Sequence, residues 1–122
     1  MILVDTSIWI DHFRNGDTNL ITLLQGRQVL VHPFIIGELA CGNLTNRVEI
    51  LSMLSRLPQT KLPGNDEVLY LIEENSLMGK GIGFIDAHLI AATRLTQTAL
   101  IWTRDKRLSK AASSLGFAYE QN

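Results

Sequence analysis

The chain opens on Ile2-Leu3-Val4-Asp5-Thr6-Ser7, and our interpretation of the whole sequence starts from this stretch. Three apolar residues, two of them β-branched, predict a short buried strand that ends at Asp5. Thr6 and Ser7 carry hydroxyl groups that suit the start of a following helix. Open α/β sheets place their chemistry at the carboxyl ends of parallel strands, so Asp5 is the first candidate site residue.

Strand and helix patterns alternate along the rest of the chain. We predict strands at residues 2–4, 29–31 and 99–102, with a possible edge strand at 117–119. We predict helices at about residues 6–15, 17–26, 33–42, 46–57, 65–78, 85–97 and 105–115. This alternation indicates an α/β fold, in which a small central parallel sheet is flanked by helices on both faces.

Length and composition predict one globular domain over residues 1–122, because 46% of the residues are apolar and 19% are charged. The single cysteine, Cys41, excludes an intramolecular disulfide and a thiolate metal site. The longest uncharged run, residues 28–37, is far shorter than the roughly 20 residues of a membrane-spanning helix. With no signal-peptide pattern at its start, the chain is expected to be cytoplasmic.

Basic residues are concentrated near the C-terminus, although the net charge of the whole chain is only −1. One 17-residue window contains a single acid and five of the eleven basic residues, namely Arg94, Arg104, Lys106, Arg107 and Lys110. This cluster predicts either a modest phosphate-binding patch or simply the solvated face of the last helix.

Two acids stand in otherwise uncharged helices. Glu38 is the only formally charged residue between Arg27 and Arg47, and it lies beside small residues of its helix. A buried carboxylate needs a partner, so we expect Glu38 to bind a metal or to pair with an arginine. Asp86 is isolated in the same way, although an aspartate there could also serve as a helix N-cap.

Asp105 follows the third predicted strand and could likewise cap the last helix. Asp5, Asp86 and Asp105 therefore stand at strand ends or helix starts, which can share one edge of a parallel sheet, and Glu38 can reach the same edge. Four carboxylates there repel one another and require cations. A set of oxygen ligands without cysteine or histidine suits Mg²⁺ or Mn²⁺ and not Zn²⁺.

The sequence resembles the PIN-domain ribonucleases, and specifically the VapC toxins of bacterial toxin–antitoxin systems. Four segments match in order and spacing, and together they extend over essentially the whole chain. They are Ile-Leu-Val-Asp5-Thr6-Ser7 with Trp9, Ile36-Gly37-Glu38-Leu39, Gly83-Phe84-Ile85-Asp86-Ala87-His88-Leu89-Ile90-Ala91-Ala92, and Thr103-Arg104-Asp105. The sequence departs from the family at Leu108, where an aromatic residue is common.

The resemblance implies a metal-dependent endoribonuclease that hydrolyses structured RNA such as tRNA or ribosomal RNA. One or two Mg²⁺ or Mn²⁺ ions held by Asp5, Glu38, Asp86 and Asp105 are expected to activate a water and to stabilise charge on the phosphate. Asp5 and Asp86 are expected as direct ligands, Glu38 as a ligand or base, and Asp105 as a residue acting through water. Thr6, Ser7 and Thr103 are expected to orient carboxylates, water or phosphate.

A toxin of this kind also implies a cognate antitoxin, and assembly as a homodimer or a toxin–antitoxin hetero-oligomer. The apolar residues Trp9, Phe13, Leu20, Ile21, Leu23 and Leu24 predict either a groove for a partner helix or part of the domain's own core. Two other functions stay open from the sequence. One is a magnesium-dependent phosphotransfer domain, and the other is a catalytically silent RNA-binding module.

Overall fold

The central strand of the sheet is the first one in the chain. The structure is a computed structural model that describes residues 1–120. Strand β1 (Ile2–Val4) lies between β2 (Val29–Leu30) and β3 (Leu100–Trp102), and all three strands are parallel. Ile2 is opposite Val29 on one side and Leu100 on the other, so the carboxyl ends of the strands lie at one edge.

Helices follow each strand and account for most of the described chain. They are α1 (Thr6–Asn15), α2 (Thr18–Gln25), α3 (Pro33–Ala40), α4 (Arg47–Arg56), α5 (Asn65–Glu74), α6 (Phe84–Leu95) and α7 (Lys106–Ser114). The predicted α/β fold with a small parallel sheet is therefore confirmed. None of the helices within residues 1–120 combines the length and apolarity that crossing a membrane requires.

Most predicted elements lie within two residues of their observed bounds, and two elements differ more. Helix α5 ends at Glu74 and not near Met78, because Ser76 has a φ of 51° and turns the chain out of the helix. The predicted edge strand at 117–119 is reduced to one parallel bridge between Ala118 and Ile101. The backbone of residues 117–119 still hydrogen-bonds to both the N–H and the C=O of Ile101, and this extends the sheet by a single pair of residues.

Trp9 belongs to the core and not to a surface groove. Its side chain is fully buried, as is that of Leu20, and its ring stacks on half-buried Phe13 with centroids 5.7 Å apart. Burying an indole of this size contributes several kcal/mol to folding, on the order of a large core side chain. The sequence left two interpretations of this apolar cluster, a groove for a partner helix or part of the domain's own core, and Trp9 and Leu20 belong to the core.

His32 positions α3, the helix that carries Glu38. It is the N-cap of α3, and its Nδ1 accepts a hydrogen bond from the backbone N–H of Phe34 at 2.9 Å. The proton of the neutral ring is therefore on Nε2, which is buried without a partner in the described part of the chain. Burial, with a smaller effect from His88, lowers the pKa of His32 to about 4.

This lowered pKa predicts a loss of stability on acidification. As the pH is lowered from 6.5 to about 4, the unfolded chain takes up a proton at His32 that the folded protein does not. The free energy of unfolding therefore decreases as the pH decreases through that window. The expected loss is about 2–3 kcal/mol. Urea unfolding of wild type and His32→Asn, whose side chain can still cap but does not titrate, measures it.

The variant should lose much less stability than wild type when the pH is lowered through this window. His12→Asn is the matched control, because His12 is a half-buried histidine whose Nδ1 likewise accepts a backbone hydrogen bond. It should keep the acid-induced loss of the wild type. Parallel curves for wild type and His32→Asn would show that His32 is not the group responsible.

Candidate active site

Asp5 lies at the carboxyl end of β1, where it is 8% exposed. It occupies the N-cap position of α1, yet its carboxylate makes no capping hydrogen bond. Its Oδ2 instead accepts hydrogen bonds from Ser7 Oγ at 2.9 Å and Thr103 Oγ1 at 2.7 Å. An N-cap aspartate usually accepts from the first backbone N–H groups of its helix, so here two hydroxyls turn the carboxylate away from that role.

The same hydroxyls connect β1 to the turn after β3. Ser7 Oγ accepts from the backbone N–H of Arg104 at 3.0 Å, and Thr103 Oγ1 accepts from that of Asp105 at 3.0 Å. Ser7 and Thr103 are also 3.4 Å apart through their hydroxyl oxygens. The structure thus brings together Asp5, Ser7 and Thr103, and the network places Asp105 beside them.

Glu38 reaches the site from α3 by a single contact. Its Oε1 accepts a hydrogen bond from Thr6 Oγ1 at 2.8 Å, which ties it to the first residue of α1. The expectation that Glu38 is shielded from solvent is wrong, since its side chain is exposed. Helix α3 buries Ile35 and Leu39 on its core-facing side, and Glu38 is left on the solvent side at the rim of the site.

Asp86 lies in the first turn of α6, but it is not the N-cap. Gly83 holds that position, and Asp86 Oδ2 accepts a hydrogen bond from its backbone N–H at 3.1 Å. Burial raises the pKa of Asp86, and the charges of Asp105 and Asp5 raise it further, while the bond from Gly83 opposes them. The carboxylate of Asp86 therefore lies close enough to Asp105 and Asp5 to be repelled by both.

Asp105 caps the last helix, which confirms one of the two roles that the sequence predicted for it. Its Oδ1 accepts hydrogen bonds from the backbone N–H groups of Arg107 at 2.9 Å and Leu108 at 3.1 Å. The side chain is exposed, so its other oxygen remains open to solvent. Asp105 can thus hold α7 in place and face the site at the same time.

The donor chemistry of these residues fits a hard divalent cation. Carboxylate and hydroxyl oxygens converge, but within residues 1–120 no group of three or more acids, histidines or cysteines forms a cage that could hold a metal ion. Mg²⁺ does not need such a cage, because it keeps several waters and binds through one or two carboxylates plus substrate phosphates. An open set of oxygens around one buried aspartate fits that mode of binding and not an enclosed zinc site.

The contacts of Arg104 were not predicted from the sequence. Its guanidinium forms ion pairs with Asp11 and with Asp17, the latter at 3.0 Å, and so joins the β3–α7 turn to α1 and to the start of α2. Two carboxylates neutralise this charge, which makes Arg104 a positioning residue for the loop that carries Thr103 and Asp105. The available signal was a pair of acids, one within the first predicted helix and one at the start of the second.

Comparison with known proteins finds similar sequences and a similar fold. Residues 2–113 match the model of the PIN domain family. Over 118 residues the chain is 43% identical to Ribonuclease VapC32 of Mycobacterium tuberculosis, in strains CDC 1551 / Oshkosh and ATCC 25618 / H37Rv, with 97% of this chain and 95% of the relative covered. The crystal structure of PAE2754 from Pyrobaculum aerophilum has a TM-score of 0.67 at 18% identity, covering 97% and 87% of the two chains, and supports the fold alone.

Repulsion within the site predicts that removing one charge stabilises the metal-free protein. Asp86→Asn keeps an oxygen for the Gly83 N–H but removes a carboxylate that burial and its neighbours disfavour. We expect the free energy of unfolding in chelator at neutral pH to rise by up to about 1 kcal/mol, a shift of a few degrees in melting temperature. Thermal melts monitored by circular dichroism measure the change.

Asp86→Ala is the matched control for the hydrogen bond. It loses the charge and the bond to Gly83 together. Its free energy of unfolding should therefore be about 1 kcal/mol lower than that of Asp86→Asn, and its melting temperature should be lower as well. An Asp86→Asn protein that melts below wild type in chelator would contradict the electrostatic account of this position.

Proposed function

The chain belongs to the PIN-domain family and to its VapC branch, and on that premise we propose that it is a metal-dependent endoribonuclease, the toxin of a type II toxin–antitoxin pair. Its substrate is structured RNA, tRNA or ribosomal RNA, in which it hydrolyses phosphodiester bonds. The observation that carries the proposal is the carboxylate of Asp5, which two hydroxyls hold at the end of β1 instead of letting it cap α1.

Asp5, Glu38, Asp86 and Asp105 are the residues that hold Mg²⁺ or Mn²⁺ in this proposal. Such an ion, when bound, lowers the pKa of a water and balances the charge that develops on the scissile phosphate. The raised pKa of Asp86 supports a cation at this place, because a nearby positive charge relieves the repulsion from Asp105 and Asp5.

The chain's own residues have distinct roles. Ser7 and Thr103 fix the direction of the Asp5 carboxylate, and Asp86 completes the pair of direct ligands. Glu38 is exposed at the rim and oriented by Thr6, which suits a third ligand or a base that takes a proton from the attacking water. Asp105 uses one oxygen to cap α7, so it acts on the site through water.

Loss of the buried carboxylate is the sharpest test of the nuclease. We expect Asp5→Asn to lower the rate of RNA cleavage by at least about a thousandfold, because a neutral amide cannot hold the cation, while the protein stays folded. Cleavage of bulk tRNA and of ribosomal RNA by purified protein, followed on denaturing gels, gives the rate. A chelator should stop the wild-type reaction, and added Mg²⁺ or Mn²⁺ should restore it.

Thr22→Ser is a suitable control for this assay. It keeps the hydroxyl that bonds the backbone of α2 away from the site, and it should leave the cleavage rate unchanged. Full activity of Asp5→Asn, or undiminished wild-type cleavage in excess chelator, would refute the metal-dependent mechanism.

The antitoxin is proposed to occupy the groove between α1 and the α3–α4 segment. This groove has a volume of about 640 Å³, and Ile10, Phe13 and Ile50 line it together with Glu38. Its apolar walls suit an amphipathic helix, and Glu38 at its edge offers a carboxylate to a partner arginine. Trp9 is fully buried and therefore does not contribute to the groove that the sequence suggested.

Co-expression with the product of a short gene directly upstream should rescue growth and yield a complex without nuclease activity. Phe13→Ala should weaken that complex by about tenfold or more, since it removes an aromatic wall of the groove. Isothermal titration of the purified partners measures the affinity. Tyr70→Ala, which removes an exposed aromatic ring on α5 outside this groove, is the matched control.

Two outcomes would count against this assignment. If the protein cleaves RNA in vitro but is harmless when expressed alone, the toxin proposal is wrong. If Phe13→Ala and Tyr70→Ala bind the antitoxin with the same affinity as wild type, the partner lies elsewhere on the surface.

A further inference from the structure

We infer that the cleft between α7 and the loop before α6 binds the phosphate backbone of RNA as it leaves the active site. We call this cleft the basic groove and define it by its four cationic residues, Lys80, Lys106, Arg107 and Lys110. The inference rests on the proposed ribonuclease function and adds to it the surface that holds the substrate.

The basic groove concentrates positive charge in a chain whose net charge is −1. Its volume is about 430 Å³, and its lining contains four cations and no carboxylate. Asn75 and Ser114 add neutral polar groups at its margins. A concave surface of one sign attracts a polyanion, and the backbone of a nucleic acid is the polyanion that a ribonuclease must hold.

These four cations are available to a ligand. All four side chains are exposed, and within residues 1–120 the ion pairs that form involve Arg104 and none of them. Arg104 belongs to the same basic segment of the sequence, but Asp11 and Asp17 neutralise it. The structure therefore divides the four cations at positions 104–110 into one arginine that stabilises a loop and three that remain free for phosphate.

Arg107 is seated in the groove by a glycine. Gly81 has a φ of +80°, and a Cβ placed on it would lie 2.6 Å from Cδ of Arg107. The arginine side chain can therefore lie directly against the backbone of the loop, in space that any other residue at position 81 would occupy. This contact joins the two walls of the groove and limits the conformational freedom that Arg107 loses on binding phosphate.

Both walls of the groove begin at a carboxylate of the active site. Helix α7 starts directly after Asp105, and its Lys106 and Lys110 are one turn apart, about 6 Å along the axis. The opposite wall continues from Lys80 to Gly83, whose backbone N–H bonds Asp86. When one phosphate of an RNA strand lies between Asp86 and Asp105, the neighbouring phosphates on one side of it therefore lie along the four cations of the basic groove.

The groove differs from the basic patch that the sequence suggested. Arg94 lies outside it, in the cleft between α5 and α6 beside Tyr70. Lys80 is 26 residues before Lys106 in the chain, outside the C-terminal window, and joins the groove only because the loop before α6 folds against α7. Two pairs of cations thus provide a matched test, one pair inside the groove and one outside it.

The test compares the salt dependence of RNA binding for two double variants. Lys80→Gln/Lys110→Gln removes two charges from the groove, and Lys61→Gln/Arg94→Gln removes two charges elsewhere. Both are made in the Asp5→Asn protein so that the RNA stays intact. Fluorescence anisotropy with a labelled oligouridine and with labelled tRNA, over a range of salt concentrations, gives the slope of log K against log salt.

The groove variant should lose about 1.4 from the magnitude of the slope with oligouridine and about 1.8 with duplex regions of tRNA, because two phosphate contacts are lost. The control variant should change the slope by less than half as much. In the cleaving protein, the groove substitutions should raise KM while kcat changes little, since these residues bind RNA but do not touch the reacting atoms.

Equal slopes for the two double variants would overturn the inference. If they are equal while the wild type cleaves RNA, the proposed ribonuclease stands and its substrate binds elsewhere. If the wild type does not cleave RNA but the groove variant alone loses slope, the proposed function is wrong and the basic groove remains an RNA-binding surface. Melting temperatures equal to that of the Asp5→Asn protein show that both variants are folded.

Discussion

The pair of hydrogen bonds from Ser7 and Thr103 to Asp5 is the interaction on which the rest of the site depends. These bonds direct a buried carboxylate away from the helix that it begins, and they cross from β1 to the turn after β3. A carboxylate that accepts two hydroxyl donors is held in one orientation, so that its remaining oxygen can meet a cation without a conformational search. The parallel sheet supplies the rigidity, because β1 is hydrogen-bonded on both sides.

Charge is arranged in two zones around this point. Burial and the charges of Asp105 and Asp5 raise the pKa of Asp86, so the folded protein carries a free-energy cost that a cation can relieve. The basic groove includes Lys106, which directly follows Asp105 in the chain. An acidic centre next to a basic track suits a polyanionic substrate whose scissile phosphate meets a metal ion and whose remaining phosphates meet lysine and arginine.

Several residues outside the set of carboxylates and hydroxyls support the architecture of the site. Arg104 holds the β3–α7 turn by pairing with Asp11 and Asp17, which keeps Thr103 within reach of Asp5. His32 caps α3 and so sets the position of Glu38. Trp9 fills the core beneath α1. Each of these three residues fixes the position of a turn or helix that carries a site residue, and none of them needs to contact the substrate.

Hydrophobic periodicity and capping are local properties of a chain, so the sequence alone was enough to predict the strands, the order of strands and helices, and three acids at strand ends or helix starts, with Glu38 inside a helix as the fourth. Which groups those acids contact depends on how distant elements pack together. Thr103 is 98 residues from Asp5, and no local pattern shows that its hydroxyl reaches that carboxylate. The exposure of Glu38, the burial of Trp9 and the entry of Lys80 into the basic groove were decided in the same way, since each depends on which face of one element packs against another.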